Sequence, residues 1–128
     1  MNKLVIDVAS EKIFLMIITK DDIYNITKEN SKINYEKLTL IVKGFLNSNS
    51  LKLKDINKIY VNRGPGSFAG IRNSISIVKA FNVARKVDYY CYSLEDFKDQ
   101  KDVKYEDIPN LCDKFKIKKN LINTIYLS

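Results

Sequence analysis

A glycine-rich loop and one aspartate are the residues most able to do chemistry in this chain. Gly64, Pro65, Gly66 and Ser67 separate a short apolar run from a long helical pattern, and Asp7 ends the apolar run "VID" near the N-terminus. Glycines let a ligand approach closely, and a helix that follows offers free N–H groups to an anion. Asp7, Gly64, Gly66 and Ser67 are therefore the candidate cofactor-binding residues, with Asp7 as the possible metal ligand.

The loop departs from known phosphate-binding motifs. A P-loop needs a lysine and a hydroxyl residue after its last glycine, whereas Gly70 precedes Ile71 and Arg72. The spacing G-x-G-x-x-A at 64–69 fits a dinucleotide fingerprint, but Asp88 lies at the start of the next predicted strand and not at its end. We favour a structural turn, made by the Gly-Pro-Gly run, that aims the following helix. Anion binding stays as the alternative.

The composition excludes several classes of protein. The chain of 128 residues is long enough for one domain and contains no histidine, so a histidine-based catalytic triad or metal site is impossible. Cys91 and Cys112 form no CxxC pair and are expected to be buried thiols. Residues 1–20 lack a signal-peptide pattern, and no apolar run reaches the length of a membrane span. We therefore expect a cytoplasmic protein that does not contact a membrane.

The net charge of +7 raises the question of nucleic-acid binding. Most of the basic residues are lysines scattered along the chain, with a mild cluster at Lys114, Lys116, Lys118 and Lys119. Phosphate binding needs a patch and not only a total charge. Direct nucleic-acid contact by this cluster is therefore an alternative and not the main interpretation.

Hydrophobic periodicity predicts an α/β protein with a mixed sheet of order βββαβαβ and flanking helices. The links between the first three strands are so short that only antiparallel pairing is possible. The predicted strands cover residues 3–8, 12–19, 23–28, 58–62 and 88–93, and the predicted helices begin at Asn34, run from 69 to 86, and lie within 108–117.

The first two helices carry the surfaces most suited to bind another protein. Each has an apolar stripe, and the stripe of the second helix spans about twice the usual arc of about 100°. A helix this apolar needs two surfaces to cover it: the sheet, and either the first helix or a second protein. The candidate contact residues are Val42, Phe45, Leu46, Ile71, Ile75 and Val78, with ordinary core packing as the alternative for each.

The segment "VNRGPGSFAGIRNSISIVKAFNVA" at 61–84, followed by "YSLEDF", resembles the TsaB (YeaZ) family. Arg63, the run Gly-Pro-Gly-Ser-Phe, Gly70 and Arg72 match the family motif in register, and "SL" at 93–94 matches a later part of it. The resemblance covers about residues 1–97. It implies half of an actin-like ATPase fold, which is related to ribonuclease H.

The resemblance also implies a function. TsaB is a non-catalytic scaffold subunit, not an enzyme, and needs no cofactor or metal of its own. It binds TsaD and supports transfer of a threonylcarbamoyl group to N6 of the tRNA adenosine next to the anticodon. TsaE is a further implied partner, tRNA is reached only through the complex, and we expect a homodimer when TsaD is absent. The first two helices of the family pack on TsaD, which would explain the broad apolar face.

Several positions depart from the family pattern. Val8 and Ala9 stand where the family has hydroxyl residues, and Ala69 replaces the threonine of the motif. These changes weaken the alternative function, a nucleotide-binding actin-like ATPase fragment. Asp7 is the one acid well inside a predicted strand, which disfavours a two-metal nuclease.

The family has a second domain of similar size. We expect residues 1–97 to form the N-terminal domain and residues 98–128 to form a short C-terminal extension in its place. The end of the chain, "INTIYLS", is similar to the terminal segment of the family.

Overall fold

Residues 1–125 are described by the computed structural model, and they form a five-stranded mixed sheet with helices on it. The order across the sheet is β3-β2-β1-β4-β5. The predicted sequence of elements and the predicted fold class are confirmed. The strands are β1 Lys3–Asp7, β2 Lys12–Ile18, β3 Ile23–Glu29, β4 Lys58–Asn62 and β5 Asp88–Tyr92.

The directions of pairing follow from the lengths of the connections. The short links make β1 antiparallel to β2, and β2 antiparallel to β3. The helical crossovers make β1 parallel to β4, and β4 parallel to β5. The two central strands, β1 and β4, are buried along almost their whole length because layers cover both faces of the sheet.

In the described part of the chain, four α-helices and three short 3₁₀ turns connect or cover the strands. Within residues 1–125, no helix is both long and apolar enough to cross a membrane. The α-helices are α1 Lys32–Glu36, α2 Leu38–Ser48, α3 Phe68–Arg85 and α4 Ile108–Lys114, and the 3₁₀ turns are Leu53–Asp55, Leu94–Asp96 and Tyr105–Asp107.

The helix predicted to begin at Asn34 is divided in two at Lys37, and its start was predicted wrongly. Ser31 is the N-cap, and its hydroxyl accepts the backbone N–H of Asn34 at 3.2 Å. The side chain of Asn34 instead donates to the carbonyl oxygen of Glu29 at 2.6 Å. That side chain therefore fixes the exit from β3 and is not free to cap a helix.

The start of α3 agrees with its prediction. Ser67 caps the helix, because its hydroxyl accepts the backbone N–H of Gly70 at 3.2 Å. The helix ends at Arg85, and Lys86 follows it in the left-handed conformation with φ of 56°.

The sheet separates two hydrophobic cores. On the face covered by α2 and α3, which we call the helical face, aliphatic residues such as Leu4, Ile6 and Leu15 meet the buried sides of the helices. On the opposite face, Val5 and Tyr60 lie in a second core. It is closed by the chain after β5, residues 93–125, which we call the C-terminal segment and which includes α4. We call this second side the C-terminal face.

Residues of the C-terminal segment are bonded directly to the sheet. Arg63, which follows β4, donates from Nη2 and Nε to the Asp96 carboxylate at 2.6 and 3.3 Å, and from Nη1 to the carbonyl of Asn123 at 2.9 Å. The backbone N–H of Ile125 donates back to the Arg63 carbonyl at 2.8 Å. The segment expected to be an extension therefore packs on the same sheet as residues 1–97. The last three residues of "INTIYLS" lie outside the described residues.

Candidate functional site

The Asp7 carboxylate lies at the end of β1 and is buried, with 6% of the residue exposed. Oδ1 accepts the backbone N–H of Ala9 at 3.0 Å. Oδ2 accepts the hydroxyl of Tyr105 at 2.7 Å and the side-chain amide of Asn62 at 3.3 Å. Both oxygens are thus occupied by donors from the chain itself, which is the usual way a protein stabilises a buried carboxylate.

Tyr105 reaches Asp7 from the C-terminal segment. Its ring stacks on Phe14 of β2 with the two ring centroids 3.8 Å apart. Burial, followed by the charge and the hydrogen bond of Asp7, raises the pKa of the Tyr105 hydroxyl, so this group remains a donor at neutral pH. The tyrosine therefore closes the site over Asp7.

The glycine loop is packed against the chain's own backbone. A Cβ atom at Gly66 would collide with the carbonyl oxygen of Ala9, and the N–H of Ser67 donates to that same oxygen at 2.9 Å. Gly64 has φ of +112°, and its N–H donates to the side-chain oxygen of Asn62 at 2.8 Å. Three N–H groups of the loop and the first helical turn, those of Gly64, Ser67 and Gly70, are thus bonded within the chain and not free to hold an anion. The geometry favours a structural turn over an anion site.

Gly70, in the first turn of α3, has a role that its place in the motif did not predict. A Cβ atom there would collide with the carbonyl oxygen of Val8. The glycine therefore lets α3 approach the loop that follows β1. Glycine normally destabilises a helix interior by about 1 kcal/mol, so only this close approach explains its presence.

The residues that surround Asp7 could not all be found from the sequence. Asn62 ends an apolar run, and in the sequence only its place in the motif distinguishes it. Tyr105 lies 98 positions along the chain from Asp7, in a charged segment without periodicity. No local pattern connects the two, because the contact depends on how the C-terminal segment folds back.

The two cysteines are buried and free, as predicted. Burial raises the pKa of both thiols to about 12, so neither is a reactive thiolate near neutral pH. Within residues 1–125, His, Cys, Asp and Glu side chains do not gather in any group of three that could hold a metal ion.

The lysine cluster near the C-terminus has acidic neighbours. Lys116 and Lys118 line a small cleft of about 170 Å³ that also contains Asp96. Lys119 pairs with Asp88 at 3.7 Å. The cluster is therefore not an uninterrupted basic patch of the kind that binds phosphate groups.

The six apolar residues selected as partner contacts all lie inside the chain's own core. Their exposed fractions are between 0% and 7%, and they pack between the two helices and the sheet. The surface available to a partner is formed by their neighbours on the outer sides of α2 and α3. The six residues are Val42, Phe45, Leu46, Ile71, Ile75 and Val78.

The outer sides of the two helices carry large apolar residues that are exposed. Leu40 is 68% exposed on α2, and Val83 is 76% exposed on α3. Gly44 lies one turn after Leu40, and nothing in the described part of the chain comes within 4 Å of where its Cβ would be. Small exposed residues such as Ala80 and Ala84 continue this surface along α3.

A groove of about 820 Å³ runs between α2 and α3, and we call it the α2–α3 groove. Its floor is apolar, its α3 side is formed by small side chains, and its rim carries basic side chains. None of the described residues that line it is acidic. The lining residues are Thr39, Lys43, Leu46, Asn47, Lys52, Leu53, Ser76, Ile77, Ala80, Phe81, Ala84 and Arg85.

Solved structures share this architecture. YeaZ from Pseudomonas aeruginosa matches 72% of this chain and 43% of its own chain with a TM-score of 0.66 and 21% identity. RuvC from Thermus thermophilus, solved with a Holliday junction substrate, matches 90% of this chain and 79% of its own with a TM-score of 0.52 and 11% identity. These likenesses show the fold alone, which is the RNase H-like fold shared with actin-like ATPases.

Sequence comparison goes further than the fold. A family model described as "TsaD: tRNA N6-adenosine threonylcarbamoyltransferase" matches residues 28–93, about half of the chain. The protein "tRNA threonylcarbamoyladenosine biosynthesis protein TsaB" of Buchnera aphidicola subsp. Schizaphis graminum (strain Sg) is 29% identical over 87 residues, 68% of this chain and 41% of that protein. The chain belongs to the TsaD family and, within it, to the TsaB (YeaZ) group. It spans less than half the length of this curated relative and of the YeaZ structure.

Proposed function

We propose that this chain is a non-catalytic subunit of the machinery that makes threonylcarbamoyladenosine in tRNA. In this proposal it binds TsaD and supports transfer of the threonylcarbamoyl group to N6 of the adenosine next to the anticodon. Membership of the family and the similarity to a TsaB biosynthesis protein support this role. Its place is the cytoplasm, it meets tRNA only through the complex, and TsaE is a further partner.

The observation that carries the proposal is the outer surface of α2 and α3. Leu40 and Val83 are large apolar residues left mostly exposed beside an apolar groove. Exposed apolar patches on soluble proteins usually mark a binding site. Gly44 and the small residues of α3 would let the helices of a partner approach closely. A helical partner such as TsaD fits this surface.

The region around Asp7 and the glycine loop supports a non-catalytic role. The Asp7 carboxylate already accepts three hydrogen bonds, and Ser67 and Gly64 donate within the chain. In this proposal these groups stabilise the junction from which α3 starts. They thus position the docking surface and do not act on a substrate.

A binding titration with TsaD from the same organism tests the proposal. Val83→Asp places a charge on the outer surface of α3, and we expect it to weaken binding at least tenfold because the charge would be buried without a partner. Ile23→Asp is the matched control. Ile23 is 49% exposed on β3, opposite Ile18, and therefore lies on the C-terminal face.

We expect the control to bind TsaD as the wild type does. If the wild type does not bind TsaD at tens of micromolar, the proposed function is wrong. If Val83→Asp and Ile23→Asp bind equally well, the partner uses another surface.

In the absence of TsaD, the same apolar surface should bring two copies together, and light scattering at tens of micromolar would detect the homodimer.

A further inference from the structure

Positive charge is concentrated in the part of the sequence that contains α2 and α3. Residues 30–87 contain eleven Lys and Arg residues and only two acidic residues, whereas the whole chain has 22 basic and 15 acidic residues. The remaining 70 residues therefore carry eleven basic and thirteen acidic residues, a small negative excess. The net positive charge thus belongs to the segment that contains α2 and α3, and three of its basic residues, Lys43, Lys52 and Arg85, line the groove.

The helices themselves contain no acid. Neither α2 nor α3 has an Asp or Glu, although together they have four basic residues, Lys43, Arg72, Lys79 and Arg85. Lys43 and Arg85 are exposed and stand on opposite sides of the groove. In residues 1–125, neither of them lies within ion-pair distance of a carboxylate.

The third basic residue of the rim, Lys52, has an acidic neighbour. Lys52 follows α2, and its backbone N–H donates to the carboxylate of Asp55 at 2.8 Å. An acidic group therefore stands close to Lys52 and reduces the field there. The uncompensated charge of the rim comes mainly from Lys43 and Arg85.

We infer that the groove recognises a helical protein surface whose rim is acidic, and that the basic rim selects the partner while the apolar floor holds it. The inference rests on the proposed function, because the partner is the TsaD that docks here. Unpaired charges around an apolar contact steer association and reject partners of like charge. The long stems of Lys43 and Arg85 can pack beside the apolar contact while their charged ends meet carboxylates.

A nucleic acid fits this groove less well than a protein does. Single-stranded bases need exposed aromatic faces, but Phe81, the only aromatic residue among the described residues that line the groove, is buried with 5% exposed. Leu46, Leu53 and Ile77 give the groove an aliphatic surface on which a phosphate or a sugar finds no hydrogen-bond partner. A protein surface with an apolar centre and an acidic rim would match both the apolar floor and the basic rim of the groove.

The test is a double charge reversal, Lys43→Glu/Arg85→Glu, measured by titration with TsaD from the same organism at about 50 mM and about 500 mM salt. The matched control is Lys98→Glu/Lys101→Glu, which changes the net charge equally at exposed positions away from the groove. Arg85 lies in the last turn of α3, where a positive charge stabilises the helix end. The single variant Lys43→Glu and the melting temperatures of all variants are therefore measured too.

We expect the groove variant to lose about tenfold in affinity at low salt, chiefly through a slower association rate, and Lys43→Glu to lose part of this. The loss should shrink at high salt, and the control should stay within about twofold of the wild type. Equal losses in both double variants, or none in either, would overturn the inference, while the proposed function would stand because the wild type still binds TsaD. If the wild type does not bind TsaD, the proposed function and the inference both fail.

The same variants are titrated with total tRNA. If Lys43→Glu/Arg85→Glu abolishes tRNA binding but leaves TsaD binding unchanged, the rim serves a nucleic acid and the inference is wrong. Loss of TsaD binding with no change toward tRNA supports it.

Discussion

The two faces of the sheet are closed by different chemistry. On the helical face, aliphatic strand residues meet the inner sides of α2 and α3, and the outer sides of these helices carry the exposed apolar residues Leu40 and Val83 beside basic ones. On the C-terminal face, aromatic rings dominate: Tyr92 stacks on Phe97, which in turn contacts Phe115. The chain after β5 covers most of the C-terminal face, where Ile23 is 49% exposed, whereas the helical layer leaves Leu40 and Val83 68% and 76% exposed. This difference indicates which side of the molecule serves another protein.

The polar groups of the two faces differ as well. Under the C-terminal segment, Asp7 is fully bonded, but the hydroxyls of Tyr60 and Tyr92 are buried and, among the described residues, lack a hydrogen-bond partner. Each such group costs about 1–3 kcal/mol relative to a satisfied one. The helical face buries mainly aliphatic side chains. We therefore expect the core beneath the docking surface to lack the cost of unpaired tyrosine hydroxyls that the C-terminal face bears.

The largest effect is expected for Ile75→Asp, which tests whether the inner side of α3 is core. Ile75 is only 7% exposed, so the new charge would be buried without a partner and should destabilise the fold by about 4 kcal/mol or more. Val83→Asp, on the outer side of the same helix, should keep the melting temperature within a few degrees. Circular dichroism melts compare the two, and a folded Ile75→Asp protein would remove the distinction between inner and outer sides.

The next effect sharpens the description of the C-terminal face. Tyr105→Phe removes a hydrogen bond to a buried carboxylate and should cost about 1.5–3 kcal/mol. Tyr60→Phe removes a hydroxyl without a partner in the described chain and should be neutral or slightly stabilising. Urea denaturation measures both. Equal losses for the two variants would show that the Asp7–Tyr105 bond does not hold this face closed.

Two glycines on the helical side should respond in opposite directions. Gly70→Ala brings a Cβ atom against the Val8 carbonyl and should destabilise by about 1–3 kcal/mol, although alanine favours helices. Gly44→Ala fills open space and should stabilise the free chain by about 1 kcal/mol or less. If Gly70→Ala also stabilises the chain, the close approach of α3 to the loop after β1 is not required.

The last comparison concerns alkaline pH, and each face contributes one thiol. Cys91 lies in the core of the helical face and Cys112 in that of the C-terminal face, and burial raises the pKa of both from 9.0 to about 12. The unfolded chain loses these protons near pH 9 and the folded chain only near pH 12, so stability should fall across this range. The variant Cys91→Ala/Cys112→Ala should show a shallower fall in denaturation midpoint between pH 9 and pH 11. An unchanged slope would show that these thiols do not titrate as described.

Local signals were enough for most of the fold. Short links are enough to predict the antiparallel strands, and the glycine loop marks the start of α3. The start of the first helix was missed because Ser31 and Asn34 are both good capping residues, and only the three-dimensional exit from β3 decides between them.

The surface of the helices was harder to predict for a physical reason. When a helix is apolar around most of its circumference, the sequence pattern does not show which side faces the core. The core residues Ile71 and Ile75 are therefore, by sequence alone, equally suited to contact a partner. Only the structure shows that Leu40 and Val83 are exposed, because it shows which sides of the two helices the sheet covers. The contact of Tyr105 with Asp7 is likewise a product of tertiary folding.

Hydrogen exchange of the chain with and without TsaD tests most directly whether the outer sides of α2 and α3 are the docking surface. We expect amides of residues 38–48 and 76–85 to exchange more slowly in the complex, while residues 97–117 on the C-terminal face are unchanged, because binding protects the elements it covers. Protection confined to residues 97–117, or TsaD binding with no change in α2 and α3, would contradict this assignment.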